Sequence, residues 1–165
     1  MDNLFAPWRM EYIGKEKKEN CIFCDILKEN NDEKNYVLIR SAYAFCLLNR
    51  YPYNNGHLMV VSNFHQKELE EFKKEEVLDI FYLLTLSLQV LKKVLKPAGF
   101  NIGVNLGEVA GAGVKDHFHL HIVPRWLGDT NFMPLLAETK VISEHLRTTY
   151  EKLLPYFRKE EKKND

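Results

Sequence analysis

The stretch that most constrains the fold is residues 117–122, an internal run in which histidines alternate with apolar residues. A period of two is typical of a β-strand, in which successive side chains point to opposite faces. His117, His119 and His121 are therefore predicted to share one face, with neighbours about 6.5–7 Å apart. The apolar residues between them are predicted to point into a core. Three imidazoles on one face can supply a nucleophile, a proton donor and a metal ligand near neutral pH, so this strand is predicted to carry the functional site.

Length and charge exclude several classes of function. The 165 residues suffice for one domain with a hydrophobic core. The 23 basic residues balance the 23 acidic residues, so no overall field attracts nucleic acid or a membrane surface. We find no apolar run long enough to cross a bilayer and expect no signal peptide. Three cysteines do not resemble a secreted disulfide framework, so we expect a cytoplasmic protein with no nucleic-acid or membrane partner.

A C-x-x-C motif near the N-terminus predicts either a metal site or a redox pair. Cys21 and Cys24 have the spacing of a zinc knuckle, in which two thiolates bind one ion. A redox dithiol is the alternative, and it is disfavoured because no strand is predicted before the motif. A tetrahedral site needs two further ligands, and His65, which follows a predicted strand, is the first candidate. Cys46 lies in an apolar strand and is predicted to be a core residue.

Hydrophobic periodicity predicts several strands and one long helix. Residues 28–35 and 49–56 are rich in polar residues and turn formers and are predicted to be loops. Apolar spacing over 75–96 predicts an amphipathic helix of roughly six turns, with Leu78 and Phe81 among the residues that face the core. The predicted strands before the histidine strand are 36–40, 43–48, 57–61 and 100–107.

The two ends of the chain have distinct patterns. Residues 1–157 are predicted to form a single domain, which includes an apolar, aromatic N-terminal arm that packs on its own domain or reaches a partner subunit. Ser143 is predicted to cap a C-terminal helix that ends near Leu154. Residues 158–165 are predicted to be a charged, disordered tail.

The His-x-His-x-His spacing followed by two apolar residues resembles the histidine triad (HIT) superfamily. The resemblance extends from Trp8 to about Leu154. Within the superfamily the chain is most similar to bacterial diadenosine tetraphosphate phosphorylases. The supporting features are Arg9-Met10-Glu11-Tyr12-Ile13, the Asn-Arg-Tyr-Pro-Tyr-Asn-Asn-Gly-His loop at 49–57, Asn105-Leu106-Gly107 and Pro124-Arg125-Trp126. The resemblance implies an α+β fold, with an antiparallel sheet of about five strands, a long central helix and a C-terminal helix.

Catalytic and substrate-binding roles follow from the same resemblance. His119 would be the nucleophile that attacks the α-phosphorus and carries the nucleotide as a phosphoramidate. His57 and His121 would orient its ring and contact phosphate oxygens, with His121 in its cationic form stabilising their charge. Asn49 would contact the nucleoside. The residues expected to contact the phosphates are Asn105, Gly111, Ala112 and Gly113.

The resemblance also implies a cofactor and an assembly. Cys21, Cys24, His65 and His117 match the zinc set of cysteine-containing members of the superfamily, and two cysteines with two histidines form a closed structural site. No organic cofactor is expected. Members of the superfamily are commonly oligomers, so we expect a homodimer or a homotetramer.

The implied activity is nucleotidyl transfer on dinucleoside polyphosphates, and most directly the phosphorolysis of diadenosine tetraphosphate to ATP and ADP through a covalent nucleotidyl-histidine intermediate. Inorganic phosphate would be the second substrate. Hydrolases of the superfamily carry Ala-Gly-Gln before the triad, whereas residues 110–113 here are Ala-Gly-Ala-Gly, without Gln. A dinucleoside polyphosphate hydrolase or a nucleoside phosphoramidase is the enzymatic alternative. A nucleotide-binding regulatory module with little turnover is the alternative from another class.

Overall fold

Five strands form one antiparallel sheet in the computed structural model, which describes residues 21–129, 142 and 144–161. The strand order is β1-β2-β3-β5-β4, so the histidine strand lies inside the sheet rather than at its edge. The predicted α+β fold with a five-stranded antiparallel sheet is confirmed. The strands are β1 (Val37–Arg40), β2 (Ala44–Leu48), β3 (Leu58–Ser62), β4 (Gly99–Val104) and β5 (His119–Arg125).

Helices flank the sheet at both ends of the described chain and between β3 and β4. The predicted loop at 28–35 is wrong, because it contains the end of one helix and the whole of a short one. Asn31 explains the short helix, since its side chain accepts a hydrogen bond from the Lys34 amide. None of the described helices is both long and apolar enough to span a membrane. The helices are α1 (Ile22–Glu29), α2 (Asp32–Asn35), α3 (Lys74–Val94) and α4 (Leu146–Glu161), with a 3₁₀ turn at Leu69–Glu71.

The C-terminal helix is longer than predicted. Helix α4 begins at Leu146, continues beyond Leu154 and ends at Glu161. The predicted tail is therefore wrong for residues 158–161, which are helical because Phe157 is fully buried and holds the last turns against the core. The remaining tail, the predicted cap at Ser143 and the N-terminal arm lie outside the described residues.

The two faces of the sheet bury different sets of side chains. The larger core lies between the sheet and helices α3 and α4, and Phe118, Leu120 and Ile122 point into it as predicted. Because side chains alternate along a strand, the histidines between these residues point to the opposite face. A second apolar cluster lies on that face, and its buried members are Phe23, Ile26, Val37, Phe45, Leu47, Met59 and Val61.

The apolar face predicted for the long helix is partly wrong. Leu78 is 60% exposed and Phe81 is 55% exposed. Helix α3 carries apolar residues over most of its circumference, so spacing alone does not decide which stripe meets the sheet. The stripe that does so is formed by Ile80, Leu83, Leu84, Leu86, Val90 and Leu91.

Gly56 ends the loop before β3 in a conformation that favours glycine. Its φ is +69°, and a Cβ at this position would lie 2.5 Å from Leu95 Cδ1. The loop therefore packs closely against Leu95 at the end of helix α3. This packing fixes the position of the chain just before His57. Glycine is therefore required both by the backbone angle and by the packing.

We expect Gly56→Ala to lower the free energy of unfolding by about 1–2 kcal/mol, because an L side chain at positive φ is strained. Urea denaturation measures the change. Gly99→Ala is the matched control, since a Cβ there would have no neighbour within 4 Å and the backbone angle is not positive. Equal stability of the two variants would contradict this account of Gly56.

Candidate active site and metal cluster

The register between β3 and β5 gathers the histidines. His121 is paired with Met59 and His119 with Val61. His57 lies two residues before Met59, so it shares the face of His121 and lies diagonally across from it. His57 Nε2 is 2.9 Å from His121 Nδ1. The structure thus brings together the three histidines predicted to be catalytic.

His117 lies just before β5 rather than within it, so the observed strand begins two residues later than predicted. The residue nevertheless remains close to the other histidines. The ring of Phe23 contacts both His117 and His119, with ring centroids 5.3 Å and 5.2 Å apart. Phe23 belongs to helix α1 and comes from a distant part of the chain, which sequence spacing could not reveal.

Hydrogen bonds assign the tautomers of His57 and His121. The backbone N–H of Tyr53 donates to His57 Nδ1 at 3.1 Å, so that nitrogen is an acceptor. In the neutral ring the proton is then on Nε2, which donates to His121 Nδ1. His121 in turn carries its proton on Nε2. The pair therefore presents an N–H group from His121 beside His119.

His119 is held with its other nitrogen ready to attack. Its Nδ1 is 2.9 Å from the carbonyl oxygen of His117, and a carbonyl can only accept, so Nδ1 carries the proton. Nε2 of the neutral ring then has a lone pair. His119 is buried, so this lone pair is protected from bulk water. The arrangement suits the role of nucleophile that the resemblance implies.

Burial keeps these rings neutral. Burial lowers the pKa of His119 below its usual value. Burial, with a smaller contribution from His119, lowers the pKa of His121 to about 4. A cationic His121 is therefore disfavoured in the protein without substrate, because an imidazolium would lose its hydration there, and the predicted cation beside a bound phosphate stays a prediction. Its neutral N–H can still donate to an anionic ligand.

The low pKa of His121 predicts a pH dependence of stability. As the pH falls below 6.5, the unfolded chain is protonated first, so the folded state loses stability down to about pH 4. We expect His121→Gln to lose less unfolding free energy than the wild type between about pH 7 and about pH 5, as measured by urea denaturation. Protonation elsewhere affects both proteins, so the difference reports His121. The same pH dependence in both proteins would contradict the low pKa.

Asn49 and Asn105 lie beside the histidines. Asn49 Nδ2 is 3.5 Å from His57 Nε2, and its Oδ1 accepts a hydrogen bond from the Tyr51 amide at 2.9 Å. Asn105 follows β4, whose residues Gly103 and Val104 are paired with His121 and Leu120. One further step of this antiparallel register, beyond the end of β4, would set Asn105 opposite His119. Direct contact of either asparagine with a nucleotide stays a prediction.

The small-residue loop before the triad forms a turn. The amide N–H of Gly111 donates to Glu108 O at 3.0 Å, and that of Ala112 donates to Gly107 O at 3.3 Å. Gly113, which follows them, is exposed. In this conformation the first two amides are used within the turn. Their donation to a phosphate would require the turn to open and stays a prediction.

The four predicted metal ligands meet at one point. Cys21 is the N-cap of helix α1 and Cys24 lies in its first turn, so both thiols project from one helix end. His65 follows β3 and His117 precedes β5. One potential ligand atom from each residue lies within 4.8 Å of all the others. The structure therefore contains a possible Cys₂His₂ metal site, as the sequence predicted.

The spacing of the ligand atoms suits a tetrahedral ion. Bonds of about 2.3 Å to sulfur and about 2.1 Å to nitrogen separate the two atoms by about 3.6 Å. Cys21 Sγ is 3.3 Å from His117 Nδ1, and Cys24 Sγ is 3.4 Å and 3.6 Å from the Nδ1 atoms of His65 and His117. His117 Nε2 donates to Ser62 O at 2.8 Å, which leaves Nδ1 unprotonated for a metal.

The charge at this cluster also favours a cation. Burial and the neighbouring Cys21 raise the pKa of the Cys24 thiol above its usual value. Two thiolates side by side are disfavoured without a positive charge, and a divalent ion would stabilise them. The donor set and its spacing fit zinc better than a hard cation, because hard cations prefer oxygen ligands.

Sequence reasoning missed a polar network that holds the loop at 49–56. Asn54 is buried, and its Nδ2 donates to Pro124 O at 2.9 Å and to Asp129 Oδ2 at 2.8 Å. Arg125 donates to both carboxylate oxygens of Asp129, whose side chain is 8% exposed. The network ties the loop before His57 to the end of β5. In the sequence, Asn54 stands in a loop rich in turn formers, and this context does not show which residues it contacts.

A model of the HIT domain family matches residues 30–126, which is more than half of the chain. The AP-4-A phosphorylase of Mycobacterium tuberculosis is 37% identical over 158 residues, which cover 90% of this chain and 80% of that protein. The adenosine 5'-monophosphoramidase of Saccharomyces cerevisiae is 29% identical over 105 residues, which cover 64% of this chain and 62% of that protein.

A solved structure with the same fold is that of a Zn-bound histidine triad family protein from Mycobacterium smegmatis. Its TM-score is 0.69 at 21% identity, and the match covers 87% of this chain and 97% of that one. This likeness shows the fold alone. The family match and the identity to the phosphorylase show the family: the chain belongs to the HIT domain family.

Proposed function

We propose that the protein transfers a nucleotidyl group from diadenosine tetraphosphate to inorganic phosphate and so forms ATP and ADP. The observation that carries the proposal is the orientation of His119. Its Nδ1–H is fixed on the His117 carbonyl, and its neutral Nε2 faces away from that bond with a lone pair. The 37% identity to an AP-4-A phosphorylase supports this choice of substrate.

In the proposed first step, His119 Nε2 attacks the α-phosphorus. A nitrogen–phosphorus bond forms while the bond from phosphorus to the bridging oxygen breaks, and ATP leaves with the electron pair of that oxygen. The N–H of His121 would donate to a phosphate oxygen, and the ring of His57 supports that tautomer through its hydrogen bond to His121 Nδ1. In the second step a phosphate oxygen attacks the nucleotidyl-histidine, ADP forms, and His119 regains its lone pair.

Phosphate rather than water is the proposed acceptor. The residues before the triad are Ala-Gly-Ala-Gly, and they offer no glutamine side chain to position water. A hydrolase or a nucleoside phosphoramidase uses the same first step and differs only in the acceptor or the leaving group. The similarity to an adenosine 5'-monophosphoramidase supports the phosphoramidase as the alternative function. A binding module with little turnover would share the nucleotide site but not the chemistry.

His119→Ala should lower phosphate-dependent ADP formation by about a thousandfold or more, because it removes the nucleophile. ADP is measured by chromatography after incubation of protein with diadenosine tetraphosphate, with and without phosphate. His145→Ala is the control, because His145 is an exposed histidine outside the site.

Each outcome of that measurement separates the functions. If His119→Ala retains most of the wild-type rate, the covalent mechanism is wrong. ATP with AMP in place of ADP, formed without phosphate, indicates a hydrolase. Binding without turnover in the wild type indicates a regulatory module.

We also propose that the Cys₂His₂ cluster holds one structural zinc ion. Its ligands would be Cys21, Cys24, His65 and His117, whose spacing fits the ion. Bound zinc would neutralise the thiolates and join helix α1 to the end of β3 and the start of β5. Assembly into a homodimer or homotetramer stays a prediction.

Elemental analysis should find about one zinc per chain, and Cys24→Ser should lower that content. We expect the same substitution to lower the thermal midpoint more than the activity per folded molecule, because the proposed ion joins three segments of the fold and none of its ligands supplies the reacting nitrogen. Cys46→Ala is the control, since Cys46 is buried in the other core and should leave the zinc content unchanged. Wild-type protein purified without chelators and free of zinc would contradict the site.

A further inference from the structure

The ring of Tyr53 lies against the histidine pair of His57 and His121. Tyr53 stacks on His57 with ring centroids 4.9 Å apart and an interplanar angle of 28°. Its centroid is 6.0 Å from that of His121. His57 is fully buried, whereas Tyr53 is 43% exposed. One face of the tyrosine therefore lies on the histidine, and the exposed area belongs to its opposite face and edge.

The hydrogen bond from this residue to His57 does not require an aromatic side chain. The bond to His57 Nδ1 comes from the backbone N–H of Tyr53, which almost any residue could supply. In the described part of the chain the tyrosine hydroxyl makes no hydrogen bond that would anchor it. A large, half-open aromatic ring beside reacting groups is a suitable surface for a flat ligand.

The position of the Tyr53 ring relative to His119 indicates which part of a bound substrate the ring would contact. The ring of His121 contacts that of His119, with centroids 4.9 Å apart, so its N–H would donate to the phosphates of a substrate that His119 attacks. A phosphate chain that contacts His121 would therefore pass close to the ring of Tyr53, which lies beside His121. The end of that chain carries the second nucleoside in a dinucleoside polyphosphate, and a nucleobase is flat, aromatic and able to stack.

We propose that the exposed face of Tyr53 stacks the base of the departing nucleotide and so makes the site prefer substrates with two nucleosides. The proposal rests on the proposed function, because it assumes that His119 attacks the α-phosphorus of such a substrate. Tyr53 then determines specificity without taking part in bond making. The bond between phosphorus and the bridging oxygen breaks as before, and the electron pair leaves with the stacked nucleotide.

The test compares a two-base substrate with a one-base substrate. Diadenosine tetraphosphate and adenosine 5'-tetraphosphate present the same α-phosphorus, and both form ADP by phosphorolysis, but only the first has a second adenine. kcat/KM is measured for both with wild type, Tyr53→Leu and Tyr53→Phe. A base stacked on an aromatic ring contributes enough for about a tenfold change. We expect Tyr53→Leu to lower the ratio of the two kcat/KM values about tenfold.

Tyr53→Phe is the matched control, because it keeps the ring and removes only the hydroxyl. It should keep the wild-type ratio. If Tyr53→Leu lowers kcat/KM equally for both substrates, the ring only shields His57 and the proposal is wrong. A ratio that falls equally in the leucine and phenylalanine variants also overturns it, because the hydroxyl would then be the recognising group.

Failure of the proposed function is distinguishable from failure of this proposal. If wild-type protein turns over neither substrate, phosphorolysis is wrong, and the same three proteins are compared by calorimetric titration with the two nucleotides. A roughly tenfold loss of preference for the two-base nucleotide in Tyr53→Leu alone still supports stacking. An unchanged preference overturns it.

Discussion

The candidate active site depends on the backbone of His117. Its carbonyl accepts the hydrogen bond from His119 Nδ1 and thereby leaves Nε2 of that ring with its lone pair. The ring of the same residue joins the metal cluster through Nδ1 and is held by Ser62 O through Nε2. One residue thus connects the cluster to His119, the proposed nucleophile. A metal that fixes the His117 ring would also fix the carbonyl that sets the tautomer of His119.

The proposed chemistry also depends on the burial of the histidines. β5 lies between β3 and β4, so the histidines lie in the interior of the sheet face, where Phe23 of the smaller apolar cluster packs against His117 and His119. Removal from water lowers the pKa of His119 and His121 and keeps a neutral nitrogen available. The same environment makes a charged His121 unfavourable. The fold therefore sets the protonation of the site as well as its geometry.

Much of the fold and site could be predicted because the relevant signals are local. Alternation around His119 predicted a strand with a functional face, and the resemblance supplied the roles. The predictions were wrong where one local pattern fits two arrangements, or where the contacting residues lie in distant parts of the chain. Leu78 and Phe81 satisfy helical spacing equally well whether they face the core or solvent. Arg158 is charged, yet it is helical because its neighbour Phe157 is fully buried.

The sequence by itself determined the residue types and their alternation: His119 and His121 on one side of a strand with His117 just before it, a C-x-x-C pair, and a glycine before His57. These are fixed by spacing, because a strand repeats every two residues. Only the tertiary structure decided which nitrogen of each ring carries a proton, since that depends on the Tyr53 amide and the His117 carbonyl. Only folding brought Cys21 within ligand distance of His117, 96 residues away, because strand register and helix packing are set by contacts that no local pattern contains.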